Sequence, residues 1–383
     1  MTLKHTDRQR LKAKSYILPQ LFLLLSFLIT TSVCGVENPG SDNERQQPDT
    51  TTAFNAADMI FNHIADAHEW HILDVGHFHL TIPLPVILWH EGKLHFFLSG
   101  KFHHGKSLYK GFGIQSGGHS SIIVKADEEI FRTRHIIKQV SDQPKPLDFS
   151  ITKNVLSIFI SAGLLIWLFL YIAKAYEKRK NKAPKGLQSL LEPIILFIRD
   201  DIAKPSIGQK YERFMPFLLT IFFFIFLNNL MGLIPFFPGG ANVTGNISVT
   251  LVLAMFTFVT IILGANRQYW LHIFNTPGVP WMLKLPIPLM PIIELVGLII
   301  KPIVLMIRLF ANITAGHIIM LSFISLIFIF GNIDAVFGYI ISPVSIVFAI
   351  FVSFIELLVA FIQAYVFTLL SALYFGMATE ETH

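Results

Sequence analysis

Two stretches of this 383-residue chain are too apolar to lie in water and too long to stand upright in a bilayer. As helices, residues 286–330 would run roughly 67 Å and residues 340–378 about 60 Å, against a hydrocarbon core of about 30 Å. They must tilt steeply, kink or divide, and Pro302 is a local kink candidate in the first. Between them GNIDAVFG is the only obvious turn, so two elements running antiparallel are the simplest account. If each run instead folded into two crossings, the connecting turns would sit at Arg308 and Glu356.

Composition agrees with a membrane protein. Hydrophobic residues make up 53% of the chain, 36 of them phenylalanine, and mean hydropathy is +0.57. These values lie beyond the usual range for a soluble fold. A net charge of +5 suggests nucleic acid until the basic residues are located. Many flank apolar spans, which makes them a topology signal, and no nucleic-acid partner is expected. The single cysteine, Cys34, excludes a disulfide framework and a thiolate metal site, and no cofactor is expected.

Residues 1–34 carry a basic stretch, the apolar run SYILPQLFLLLSFLIT and small residues in TTSVCG. They read as a secretory signal cleaved near Cys34. A lipid-acceptor cysteine is one alternative, disfavoured by the bulk of Val33, and an uncleaved anchor helix is another. Residues 35–148 are polar, hold 11 of the 15 histidines and should form a small domain outside the cytoplasm. GVENPGSDNERQQPDTTT reads as a linker. HFHLTIPL and VILWHEGKLHFFL read as strands, with Glu91-Gly92 a plausible hairpin turn. Residues 62–72, NHIADAHEWHI, read as a short amphipathic helix with His68 and His71 one turn apart. His77/His79 and His103/His104 are weak metal candidates, because no acid or cysteine stands at ligand spacing; exposed strand histidines are the better reading.

Membrane spans follow, in a segment of residues 149–383. Residues 154–173 are uncharged and long enough for one crossing, and KAYEKRKNKAPK after them marks the cytoplasmic side. Residues 186–205 are too charged to span and read as a helix on the cytoplasmic surface. Residues 214–266 contain no charge but are interrupted by PFFPGGANVTGN, giving two crossings with RQYW back at the cytoplasm. NVT at 242–244 has the form of a glycosylation acceptor and is discounted in a bacterial-looking chain.

The two long segments bury a set of polar groups: Glu294, Lys301, Arg308, Asn312 and His317 on the first, Glu356 and Gln363 on the second. From Pro302 to Ile333 Arg308 is the only full charge, and from Ala335 to Thr379 Glu356 is the only one. A charge at bilayer depth costs several kcal/mol and is a functional candidate by default. Helix packing or snorkelling accounts equally well for Glu294 and Lys301, but poorly for Arg308. Glu294, Lys301 and Arg308 are seven apart and form one stripe; Asn312 is one turn beyond Arg308, and His317 points to the opposite side. Glu356 and Gln363, also seven apart, share a face. With the first helix running outward, His317 lies about 13 Å outside Arg308, Glu356 about 10 Å outside Gln363, and Glu294 about 21 Å the other way. If Arg308 and Gln363 face one another, His317 and Glu356 reach similar depth.

That arrangement suits a proton path. A histidine and a carboxylate can exchange protons near neutral pH when their surroundings tune them. Arginine cannot, because its guanidinium holds its proton. It is a barrier that repels a hopping proton and attracts an ionised carboxylate, so it would separate two aqueous half-routes. The acid it lacks would come from another chain.

The motifs RLFANITAGHII, KPIVLMIRLF, NNLMGLIPF and FIQAYVFTLLSALYFGMATEE resemble subunit a of the F-type ATP synthase, over about residues 150–383. The resemblance implies a stator beside a ring of small carboxylate-bearing hairpins, with protons arriving by one half-channel and leaving by another. It implies further partners in a b-subunit peripheral stalk and the F1 sector, and a place in a bacterial inner membrane. It puts the family's essential arginine on Arg308 and polar helpers on Asn312 and Gln363, with Lys301 and Glu294 toward the cytoplasmic route. Many bacterial relatives carry Glu after Ala-Gly and His on the last helix. Here His317 and Glu356 stand exchanged, as in the mitochondrial type, which supports a coupled pair. The implied fold is an all-α polytopic membrane protein of about five membrane helices, two of them long, tilted and antiparallel, with a surface helix and a strand-containing N-terminal addition. Residues 35–148 exceed the family's usual N-terminal segment. With no GxxxxGK[ST] loop, no ATP site is expected on this chain.

A secondary transporter, the rival of another class, predicts inverted repeats that the sequence does not display. A membrane anchor for a histidine-rich domain leaves Arg308 and Glu356 unexplained.

Overall fold

The computed structural model describes residues 55–379, except 76–77, 104–106, 118–119, 126–145, 179–183, 235–236 and 275–288. The signal segment, Cys34, the linker, His77 and His104 therefore lie outside the described residues.

A short helix, α1 (Ala56–Ile64), opens the N-terminal part, with Asn55 Oδ1 accepting from the Ala57 amide at 3.0 Å. The helix expected over residues 62–72 is not formed. α1 ends at Ile64, and β1 (Glu69–Val75) pairs antiparallel with β2 (Phe78–Pro83). EWHILDV has the branched and aromatic content of a strand and finds a partner in the neighbouring FHLTIP, so tertiary pairing overrides a weak helical pattern. His68 and His71 thus do not share a helix face.

β3 (Pro85–His90) and β4 (Lys93–Leu98) form the expected hairpin, with β7 (Leu147–Asp148) on the other side of β3. Glu91 and Gly92 both have positive φ, 49° and 76°, as a two-residue primed turn requires. β5 (Phe112–Gly117) pairs with β6 (Ser120–Lys125). Val86, Leu88, Phe97, Phe102, Phe112 and Ile123 make a small separate core.

Among the described residues, five helical segments are long and apolar enough to cross a membrane. α2 (Lys153–Lys178) is the first. Next, α3 (Leu187–Phe197) continues through a π-turn at Ile198–Ala203 into α4 (Lys204–Ile207) and then α5 (Tyr211–Leu233). α6 (Ile247–Gly264), capped by Asn246 Oδ1, leads to α7 (Arg267–Phe274). α8 (Leu289–Ile333) and α9 (Ala335–Thr379) each hold 45 residues, about 67 Å of helix. Neither turns at Arg308 or Glu356, and α8 runs through Pro302 without a break in the helix.

Residues 186–205 are helical as expected, yet they do more than lie on a surface. Ile198, Ile202 and Ala203 are fully buried in the main core, and Ser206 comes so close to Gly376 of α9 that a Cβ there would collide with its carbonyl oxygen. At the far end, Asp334 alone separates the long helices. Its Oδ1 accepts from the Val336 amide at 3.0 Å and caps α9. A Cβ on Gly338 would stand 3.0 Å from the Gly331 Cα, so glycine on both sides permits the hairpin.

The main core is aromatic: Phe214 and Phe217 of α5 pack on Phe375 of α9 at centroid distances of 4.7 and 5.4 Å. Burial is uneven. In the most apolar stretch, 61% of the Leu187–Leu233 segment is inside but only 22% of α8 or α9. The long hairpin therefore turns wide apolar faces outward.

Candidate functional site

Several contacts fix the α8–α9 register. Phe323 stacks on Phe348 at 5.3 Å, Ser353 Oγ donates to Met320 Sδ at 3.4 Å, and Lys301 Nζ lies 5.4 Å from the centre of the Tyr374 ring. Within this register His317 Nδ1 and Glu356 Oε1 are in direct contact, with both side chains buried. A lone buried carboxylate is costly, and the imidazole beside it gives it a polar partner. Two glycines make the space. A Cβ at Gly316 would lie 3.1 Å from Glu356 Oε1, and one at Gly232 of α5 would lie 3.8 Å from His317 Nε2. The expectation that His317 and Glu356 share a depth agrees with this contact.

Other polar groups bury themselves around α5, α9 and the loop 237–246: Asn228, Asn229, Asn242 and Thr244 are each at most 4% exposed. Asn229 Nδ2 donates to the Ala360 carbonyl at 3.2 Å, and Thr244 Oγ1 donates to Asn229 Oδ1 at 2.5 Å. Asn228 Nδ2 donates to the Phe224 carbonyl at 2.8 Å. Among the described residues, Asn228 Oδ1, Asn242 Nδ2 and Glu356 Oε2 have no hydrogen-bond partner. The carboxylate oxygen can accept a proton and the amides can pass hydrogen bonds to water, so these residues form a buried polar pocket beside His317 among the described residues. Sequence reasoning passed over the two asparagines of NNLMGLIPF as recognition signals only. It also discounted NVT at 242–244 as a glycosylation acceptor and gave it no other role, whereas Asn242 and Thr244 are buried in this cluster. The usable signal was three amides and a threonine inside a charge-free span.

Arg308 stands apart from the pocket. The register places it level with about residue 365, close in depth to Gln363, which is two residues or about 3 Å of helix away. Among the described residues it makes no ion pair and no side-chain hydrogen bond. It is half-buried, within electrostatic reach of Tyr374, and flanked by the exposed Val304, Ile307, Ala311 and Asn312. The guanidinium thus borders the outward apolar face of α8.

The remaining candidates separate. Gln363 is buried, Asn312 is exposed, and Lys301 is half-buried against Tyr374. Glu294, also half-buried, lies within electrostatic reach of Tyr269 on α7. The structure therefore joins His317 to Glu356 and spreads the others along the hairpin. Among the described residues no three His, Cys, Asp or Glu side chains are grouped to hold a metal.

Residues 155–376, which carry both the hairpin and the pocket, match the family described as ATP synthase A chain. The chain belongs to that family. ATP synthase subunit a of Chloroherpeton thalassium is 46% identical over 244 residues, covering 62% of this chain and 69% of the relative. ATP synthase subunit a 2 of Chlorobaculum tepidum is 47% identical over 242 residues, 61% of this chain and 65% of the relative. ATP synthase subunit a of Anaeromyxobacter dehalogenans is 38% identical over 242 residues, with 58% of its length matched. The chain thus aligns with about two thirds of the first two relatives' length. Residues 59–149 separately match a domain of unknown function, DUF8433. As a member of the ATP synthase A chain family with, among the described residues, five helical segments long and apolar enough to cross a membrane, this is a multi-pass protein of the synthase membrane sector.

Proposed function

We propose that this chain is the proton-carrying stator of its ATP synthase, working against a ring of small subunits that each bring one carboxylate to Arg308. The observation that carries the reading is a half-buried arginine without an acid partner among the described residues, on the border of an outward apolar face. A fixed cation there favours ionisation of a passing carboxylate and repels a free proton. Protons arrive through the pocket of His317, Glu356, Asn228, Asn229, Asn242 and Thr244. They leave along the other end of the hairpin, past Lys301 and Glu294, with Gln363 and Asn312 orienting groups near the barrier.

Each charge moved through 100 mV supplies about 2.3 kcal/mol. The chain spends none of it on ATP itself; the work passes through rotation to an F1 sector, with a b-type stalk holding the stator still. In this reading residues 1–34 are a signal, the N-terminal domain lies outside a bacterial inner membrane, and the basic segment after α2 is cytoplasmic.

Cross-linking in the intact complex tests the docking. In a Cys34→Ser background, Ile307→Cys, one residue from Arg308 and exposed, is expected to form a disulfide with a cysteine placed one turn from the ring carboxylate. Absence of that link, with the complex assembled, would reject the proposal.

A further inference from the structure

The N-terminal domain touches two elements that carry the buried polar groups, α8 and the loop 237–246. On one side, Ile60 and Ile64 of α1 pack with Leu321, alongside Ile318, one helical turn beyond His317 on α8. On the other, Trp70 at the start of β1 meets Phe237 edge-on at 5.1 Å, and Trp70 is only 2% exposed. Phe237 opens the loop that carries Asn242 and Thr244. The loop in turn leans on α5, where a Cβ on Gly232 would sit 3.4 Å from the Ala241 carbonyl oxygen and 3.8 Å from His317 Nε2. A continuous line of contacts therefore leads from Trp70 to the imidazole.

The domain is also tied to the membrane part by polar contacts. Asp66 accepts from Thr152 Oγ1 at 2.8 Å and from the Asn154 amide at 3.1 Å, at the N-terminus of α2. The Lys153 amide donates to the Ala67 carbonyl at 2.9 Å, and within the N-terminal domain His68 Nε2 pairs with Asp148 Oδ2 of β7 at 2.8 Å, which holds residues 65–70 to the sheet. A carboxylate receiving two donors at a helix start is a strong tether. Residues 65–70 are thus held between α2 and the pocket loop.

We infer that the N-terminal domain is a cover for the outer side of the proton pocket, and that Trp70 is a positioning residue that holds the loop 237–246 against it. The inference deepens the proton-path reading and rests on it. Protons arriving from outside pass the edge of this domain before they reach His317 and Glu356. The cover also keeps bulk water from the buried amides, which strengthens every charge interaction within.

The test uses the whole synthase in vesicles, with Cys34→Ser and Val243→Cys introduced together; Val243 is 1% exposed. Two quantities are measured from the N-terminal-domain side: labelling of the thiol introduced at position 243 by a membrane-impermeant maleimide, and passive proton flux through the membrane sector. Trp70→Ala is expected to raise labelling severalfold and lower flux severalfold, while Trp70→Phe, which keeps the ring contact, restores both. Where Trp70→Ala yields no assembled complex, Ile64→Ala, which loosens the contact with Leu321, takes its place. Unchanged labelling and flux in an assembled variant would overturn the cover. Raised labelling in a complex whose unaltered form shows no His317-dependent flux would support the cover and reject the proton path instead.

Discussion

His317 and Glu356 show how a pair of ionisable groups survives in an apolar hairpin: each is the other's partner, and a glycine beside each leaves the space they fill. If they carry protons, replacing either by alanine should slow passive proton flux roughly a hundredfold, the lower range for loss of a positioned acid–base group. Exchanging the two, His317→Glu with Glu356→His, should recover part of the rate. Flux measured in vesicles with a pH-sensitive dye decides this, and equal rates in all variants would remove both from the path. The pairing was legible because nine residues beyond Arg308 and seven before Gln363 are fixed distances along helices. Asn242 and Thr244 were not, because nothing in NVT says that its loop folds inward. That depends on Gly232, Trp70 and Phe237, which meet only in three dimensions.

The hairpin of α8 and α9 was foreseeable from length and the lone turn GNIDAVFG, since no other break interrupts either apolar run. Its neighbours were less so. The charges in 186–205 argue for a surface helix, and three of them do stay outside: Arg199 and Lys204 each pair with Asp200, at 2.7 and 2.5 Å. The opposite face, Ile198, Ile202 and Ala203, is buried in the core, an amphipathic split that charge counting alone conceals. The close approach of Ser206 to Gly376 makes a prediction at this scale. Gly376→Ala should push α4 off α9 and cost about 1–3 kcal/mol, as overpacking does. A lower thermal midpoint for the purified complex, with Gly376→Ser worse than Gly376→Ala, is the expected result; an unchanged midpoint in both would mean the approach is not tight. The misread segment is 62–72, where a helical reading of the histidines lost to strand pairing of Glu69–Val75 with Phe78–Pro83.

At the scale of the whole molecule, the N-terminal region carries two aspartates of opposite behaviour. Burial raises Asp148, but hydrogen bonding and charge from His68, with Ser150, outweigh it and hold the carboxyl below its ordinary 3.8. The stability this contributes is present above about pH 4 and is lost as pH falls through the lower, folded value. Asp66 has the opposite sign: burial raises it, only partly countered by the Asn154 amide and Thr152, so its protonation on acidification favours the fold. Asp148→Asn should therefore remove an acid-side loss of stability within the N-terminal region. Protease susceptibility of residues 55–149 between pH 3 and 7 should rise less steeply toward acid in that variant than in the unaltered complex; identical profiles would show that the pair does not govern this region's stability. The few strands of this region were legible in HFHLTIPL and VILWHEGKLHFFL, but its contacts with α8 and the loop 237–246 were not, because Ile60, Ile64 and Trp70 look like ordinary core residues until their partners are seen.

All of this turns on Arg308 meeting its counter-ion on a moving neighbour, and ATP-driven proton pumping by reconstituted synthase tests that most directly. With Arg308→Ala the chain should assemble in normal amount while coupled pumping falls to background. Pumping at the unaltered rate would contradict the account.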